Sequence, residues 1–384
     1  MTTSAAVPNV AGTNPIKGLL EYGQSPWMDY IRRDLLTGGG LKKIIEGDGL
    51  RGMTSNPAIF EKSITGSTLY SDILDSPEAK TLNAKSLYEK IAIRDVQDAC
   101  DIFRPIYQST RRRDGYVSLE VSPYLANDTK GTLEEARRLW KTVGRENLMV
   151  KVPGTPEGVP AIRQLLEDGL NINVTLLFAQ SAYEQVAEAF FSGLEARALK
   201  KEDISHSASV ASFFVSRIDT LVDSKIEAML KSANGASRDL LTSIEGKVAI
   251  ANAKLTYEKY QELYNTPRWK ALAAKGAQTQ RLLWASTSTK NPKYRDVLYV
   301  EELIGADTVD TIPPATFDAF RAHGRLRNSL TEDVQGAARI MENLAKAGIS
   351  MKEVTDTLLV DGVRLFADAF KTLLDATGKH AGVR

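Results

Sequence analysis

The sequence predicts an α/β fold, a closed (β/α)8 TIM barrel with additional helical insertions and a C-terminal helical extension, and two patterns carry that prediction. Short apolar segments, many of them rich in β-branched residues and bounded by Gly, Pro, Asn or Asp, recur eight times, as strands buried on both faces of a parallel sheet do. Between them run longer segments whose apolar residues return at helical spacing. Strand–helix alternation implies parallel strands joined by crossovers, and an eightfold count favours a closed barrel over an open, doubly wound sheet.

The strands are expected at residues 26–30, 49–55, 116–122, 148–153, 171–177, 207–215, 281–286 and 308–312. Among the helices, 132–143 sets Leu133, Ala136, Leu139, Trp140 and Val143 on one face, and 160–167, 179–194 and 217–230 repeat the pattern. A helical insertion over about 237–275 separates the sixth and seventh strands. Two further helical patterns over about 330–376 are broken at Gly348-Ile349-Ser350. With no Pro- or Ser-rich linker to divide the chain, residues 15–384 read as one domain behind a disordered leader, 1–14.

Composition narrows the chemistry. Of 384 residues 43% are hydrophobic and 25% charged, which is ordinary for a soluble globular protein. A net charge of +1 creates no global field, so neither nucleic acid nor a membrane is an expected partner, and an anionic substrate must be met by local donors. The single cysteine, Cys100, excludes an internal disulfide framework and reads as a packing residue. His206, His323 and His380 are scattered and fit no metal-ligand spacing, so no metal is expected. The first residues lack a signal-peptide pattern, and no apolar run reaches the ~20 residues of a membrane helix. A cytoplasmic protein is the expectation; oligomeric state is left open.

One familiar motif misleads. Gly47-Asp48-Gly49-Leu50-Arg51-Gly52 matches G-x-G-x-x-G, but a dinucleotide fingerprint follows a strand and opens a helix, and this one ends a helical segment and leads into a strand. It reads as a helix-ending turn.

The informative residues are polar ones set in apolar strands. In Leu148-Met149-Val150-Lys151-Val152-Pro153, alternation puts Lys151 on the face opposite the valines, toward the barrel interior. Burial without a partner disfavours an ammonium, and a neutral amine is what attack on a carbonyl requires; a lysine ion-paired with a carboxylate is the alternative. Asp29, Asn56, Glu120, Asn173 with Thr175, Ser212 with Arg217, and Ser286 stand in or beside other strands, so seven of the eight carry such a group. Barrel enzymes assemble their sites from several strand ends in this way. An amine that forms an imine, carboxylates that move protons, amides for hydroxyls and a guanidinium with a serine for a phosphate make a coherent set.

Three of these segments together resemble one family. Met53-Thr54-Ser55-Asn56-Pro57-Ala58, Met149-Val150-Lys151-Val152-Pro153 and Gly169-Leu170-Asn171-Ile172-Asn173-Val174-Thr175-Leu176-Leu177-Phe178 look like the signature strands of transaldolases, and the likeness runs from about Gly18 to Ala376. The helical insertions are similar to a longer actinobacterial or cyanobacterial-type branch. The resemblance implies transfer of a dihydroxyacetone unit between sugar phosphates, with no metal or organic cofactor. Lys151 is then the Schiff-base lysine, Asp29 the acid/base for the C–C bond, and Glu120 with Thr175 the pair that positions water. Thr54, Asn56, Asn173 and Ser212 would contact substrate, and Arg217 and Ser286 would bind phosphate. Where many relatives read A-S-x-R, this chain continues Ala285-Ser286-Thr287-Ser288-Thr289-Lys290, so Lys290 is expected to replace the arginine with a point charge. The long stretch between Asp29 and Asn56 makes Asp34 a rival acid/base; Asp29 is preferred because it follows the apolar Trp27-Met28. A class I aldolase of the same barrel type and an inert sugar-phosphate-binding barrel are the other readings.

Overall fold

The computed structural model describes residues 14–382, so all of the expected leader but Asn14 lies outside the described residues. Eight parallel strands close in sequence order: β1 (Gln24–Asp29), β2 (Gly52–Thr54), β3 (Tyr116–Glu120), β4 (Leu148–Pro153), β5 (Ile172–Leu177), β6 (Ser209–Phe214), β7 (Arg281–Ala285) and β8 (Thr308–Ile312), with β8 paired back to β1. Every strand is an expected one, with ends shifted by a few residues. The largest shift is β2, where the expectation began at 49. Gly49 sits at φ 71°, a left-handed conformation that ends the helix Gly40–Asp48, and the chain straightens only past Arg51. Gly52 then opens β2 because a Cβ there would lie 2.4 Å from the Trp27 ring that fills the barrel beside it. The second and third glycines of the G-x-G-x-x-G run therefore serve a turn and a tight packing contact.

Local signals set the helices. Asp128 caps Thr129–Val143 by accepting from the Gly131 N–H, and Gly144 at φ 59° ends it. Asn56 caps Pro57–Ile64, with Pro57 at the first helical position. Between β6 and β7 the helix Ser216–Leu230 is followed by Gly235–Ile244, Val248–Leu263 and Pro267–Ala273, and the tail folds into Val334–Lys346 and Met351–Gly378 around a left-handed Gly348.

The two ends of the barrel differ. At the N-terminal end of the strands Arg281 donates to Ser25 Oγ (2.7 Å) and Asp114 Oδ1 (2.8 Å), and Ser25 donates to Asp114 Oδ2 (2.9 Å), which closes that end with a satisfied ionic plug. Across the C-terminal end lies Met351–Gly378, whose buried residues Val354, Leu358, Gly362, Phe366 and Phe370 recur every four positions along one face. Phe370 meets the Tyr88 ring edge-on at 5.6 Å, and each phenylalanine buried this way contributes about 1.5–3 kcal/mol. No helix of the described residues is long and apolar enough to cross a membrane.

Candidate active site

Strand register brings the expected residues together at the covered C-terminal end. Glu120 on β3 is the register partner of Lys151 on β4, and Lys151 is that of Asn173 on β5. Side chains at register-paired positions point to the same face of a sheet, so all three enter the barrel. Lys151 is buried, its Nζ donating to the Ser55 carbonyl (3.2 Å) and lying 3.6 Å from Glu120 Oε2. The ring of Phe366, from the covering helix, stands 5.7 Å from the same amine. The ion-paired alternative is thus realised, with the partner being the carboxylate already singled out for chemistry.

Burial drives the titration of this carboxylate. It lifts Glu120 to about 7, with Lys151 pulling the other way and Asp29 adding to the rise. Neither Glu120 oxygen nor Thr175 Oγ1 has a hydrogen-bond partner among the described residues, although all three atoms are buried. Buried polar atoms are normally satisfied, so these three on the two strands flanking Lys151 stand out. Beyond Thr175 the register slips between Val174 and Leu177, and Leu176 takes φ 61°. A β-branched run gives no warning of such a bulge, which turns the strand end beside the site.

Asp29 ends β1, partly exposed at the mouth. Its Oδ1 accepts from Thr54 Oγ1 (2.7 Å), and Thr54 Oγ1 is in turn 2.7 Å from Thr311 Oγ1. Desolvation raises the Asp29 carboxyl, while Lys151 and the Thr54 hydrogen bond hold it back. The rival Asp34 is bound twice by Arg32 on the surface and held below the carboxylate range by that contact, whereas Asp29 is the one of the two on which Lys151 acts. Thr311 was not picked from the sequence. It is the contribution of the eighth strand, and its place on the same face as Val309, opposite Asp310 and Ile312, is the signal the sequence offers.

Asn173, Ser212 and Ser118 form a chain inside the barrel: Asn173 Nδ2 donates to Ser118 Oγ (3.0 Å) and Ser212 Oγ donates to Asn173 Oδ1 (2.6 Å). Ser118 was also missed; a serine in an apolar strand gives little to distinguish it. Asn56 spends its carbonyl oxygen on the Ile59 N–H (3.0 Å), so its helix-capping role, common for an Asn at a strand end, is present alongside any contact its amide nitrogen makes.

On the opposite side, Arg217 lies in the first turn of Ser216–Leu230, its guanidinium 5.3 Å from the Phe214 ring. Ser286 follows β7 at φ 57° and is tied to that turn through Ser216, Oγ to Oγ at 3.0 Å and the Ser216 N–H to the Ser286 carbonyl at 3.1 Å. Lys290 reaches solvent and donates to Ser288 Oγ (2.6 Å). Desolvation lowers Arg217; desolvation, then repulsion from Arg217 and Lys62, lowers Lys290. Among the described residues no carboxylate lies within ion-pair distance of Arg217, Lys62 or Lys290. Cations that repel one another in this way make the mouth locally positive, with Asp29 the carboxylate that acts on Lys290.

The family model described as Transaldolase/Fructose-6-phosphate aldolase matches residues 26–377. A transaldolase of Trichodesmium erythraeum is 47% identical over 367 residues, covering 95% of this chain and 97% of its own. "Transaldolase 2" of Nostoc punctiforme is 47% identical over 368 residues, with 95% and 97% covered, and a transaldolase of Acidothermus cellulolyticus is 44% identical over 365, with 95% and 96% covered. With its barrel, its buried lysine and a match of this length, the chain belongs to the transaldolase/fructose-6-phosphate aldolase family.

Proposed function

We infer that the protein is a transaldolase, moving a dihydroxyacetone unit from sedoheptulose 7-phosphate to glyceraldehyde 3-phosphate and giving erythrose 4-phosphate and fructose 6-phosphate. The observation that carries the reading is the Lys151 amine, buried between a carbonyl at 3.2 Å and the Glu120 carboxyl at 3.6 Å, with Asp29 on the far side of β2. Identity of 47% to proteins named transaldolase along nearly the whole chain favours transfer over simple aldol cleavage.

In this mechanism Glu120 takes a proton from the Lys151 ammonium, and the amine adds to the substrate ketone. Glu120 then gives a proton to the departing hydroxyl, and water leaves the carbinolamine to form the iminium. Thr175, whose hydroxyl has no partner among the described residues, holds that water. Asp29 removes the proton of the hydroxyl next to the scissile bond. The C–C electrons flow into the iminium, and the aldehyde product departs. The resulting enamine attacks the acceptor aldehyde while Asp29 returns the proton, and water releases the new ketose. Asn56, Asn173, Ser212 and Thr54 line the path of the sugar hydroxyls, and Arg217, Ser286 and Lys290 take the phosphate. A cytoplasmic location fits substrates of this kind and a chain in which no described helix is long and apolar enough to cross a membrane.

Turnover of fructose 6-phosphate with and without erythrose 4-phosphate tests the reading. A transferase needs the acceptor, so release of glyceraldehyde 3-phosphate rises at least about tenfold when it is added. Equal rates with and without acceptor mean an aldolase instead.

A further inference from the structure

The residues that hold an anion site in shape lie one shell behind it. Asp219 and Asp223 stand one turn apart on Ser216–Leu230, the helix whose first turn carries Arg217. Each uses both carboxylate oxygens. Asp219 Oδ1 accepts from the Ala249 N–H (2.7 Å) and Oδ2 from the Tyr299 hydroxyl (2.9 Å). Asp223 Oδ1 accepts from the Gly246 N–H (2.9 Å) and Oδ2 from the Tyr294 hydroxyl (2.8 Å). Gly246 and Ala249 flank the start of Val248–Leu263, where backbone N–H groups have no partner within their own helix. Gly246 sits at φ 68°, and a Cβ there would lie 2.6 Å from the Tyr294 ring, so the insertion and the tyrosine are packed as well as bonded.

Three elements therefore converge on two carboxylates: the helix of Arg217, the segment running from Ser286 and Lys290 to Tyr294 and Tyr299, and the helical insertion. Ser216 joins the first two directly through Ser286. Two buried carboxylates are a costly way to join helices, since apolar packing of the same volume does as well or better for stability. What carboxylates add is direction, because each accepts only along defined lines.

We propose that Asp219 and Asp223, with Tyr294 and Tyr299, are positioning residues that set the spacing of Arg217, Ser286 and Lys290 for a substrate phosphate, and that the insertion is the brace against which they hold it. The proposal rests on reading those three residues as the phosphate site. It leaves the chemistry at Lys151 untouched, since none of the four residues contacts that lysine.

The test uses Tyr294→Phe and Tyr299→Phe, singly and together, which keep the rings and remove the donors. In the double variant KM for fructose 6-phosphate and the dissociation constant of inorganic phosphate, measured by titration calorimetry, rise together by about tenfold, while kcat stays within about twofold. Borohydride trapping of dihydroxyacetone, which has no phosphate, proceeds at the wild-type rate. Should the double variant fold poorly, each single variant shows about a threefold rise in the same two constants. Phosphate binding equal to wild type, or trapping that falls by the same factor as phosphate affinity, overturns the clamp. A wild-type protein that binds no phosphate overturns the phosphate-site reading beneath it, so the two fail separately.

Discussion

Glu120 and Lys151 occupy paired positions on adjacent parallel strands, carboxylate to amine 3.6 Å, and both are buried beneath the helix Met351–Gly378. Burial outweighs the attraction of the lysine and leaves the carboxyl at about 7, against an ordinary value of 4.5. A group raised to that point changes form within the working range and passes protons both ways. In the proposed mechanism Glu120 acts in its ionised form, so the rate of imine formation is expected to rise through about pH 7. In Glu120→Gln that rise is absent, and kcat falls by about 10²- to 10³-fold. Rate against pH, read by trapping with dihydroxyacetone, checks both.

Asp29 accepts a hydrogen bond from Thr54 and, in the proposed mechanism, has its own step. Asp29→Asn is expected to cut fructose 6-phosphate turnover by about 10³-fold while dihydroxyacetone still forms an imine on Lys151, because only the C–C step needs that base. Thr54 has one proton, which goes to Asp29, so the Thr311 hydroxyl must donate to Thr54. Thr311→Val removes that donor and slows turnover by about three- to tenfold, with Thr311→Ser restoring it. Steady-state rates for the pair, alongside trapping, separate this from a folding defect.

The cations at the mouth are expected to act on affinity. Arg217→Ala raises KM for fructose 6-phosphate by about 10- to 100-fold, the worth of a charge-assisted contact to phosphate. Lys290, exposed and able to offer only a point charge, changes KM by about twofold to fivefold when replaced by Ala. KM measured at two ionic strengths checks the assignment, since the loss shrinks as salt screens the site.

Asp310 gives a prediction about stability. It is fully buried on β8, accepts from Thr287 at Oδ1 (3.1 Å), and its Oδ2 has no partner among the described residues. Burial lifts its carboxyl well above the usual range. A raised folded-state value means the stability is present below the unfolded value and is lost as pH rises toward the folded one. Asp310→Asn keeps the acceptor and does not titrate. The variant is therefore more stable than wild type at pH 8, and the gap closes toward pH 4. Thermal unfolding across that range measures it.

How far the sequence reached depends on the kind of signal. The bounds of β4 and β8 are legible to the residue, since β4 is an apolar run that ends at Pro153 and β8 is a short, mostly β-branched run stopped by Pro313. Lys151 and Glu120 stood out because a charge in such a run is costly enough to need a reason. Ser118 and Thr311 did not, because a hydroxyl in a strand costs little and becomes meaningful only beside its partner on another strand. Phe366 comes from a helix more than 200 residues along the chain, and its place near the lysine is a tertiary fact. The left-handed backbone at Leu176 and Ser286 contradicts local preference, as strained positions at sites commonly do.

The central claim is that Lys151 carries the substrate as an imine. Incubation with fructose 6-phosphate, reduction with borohydride and mass spectrometry of the peptides test it directly. The account predicts a three-carbon adduct on Lys151, absent from Lys151→Arg. Active protein that yields no adduct, or one on a different lysine, contradicts the mechanism and every role assigned around that residue.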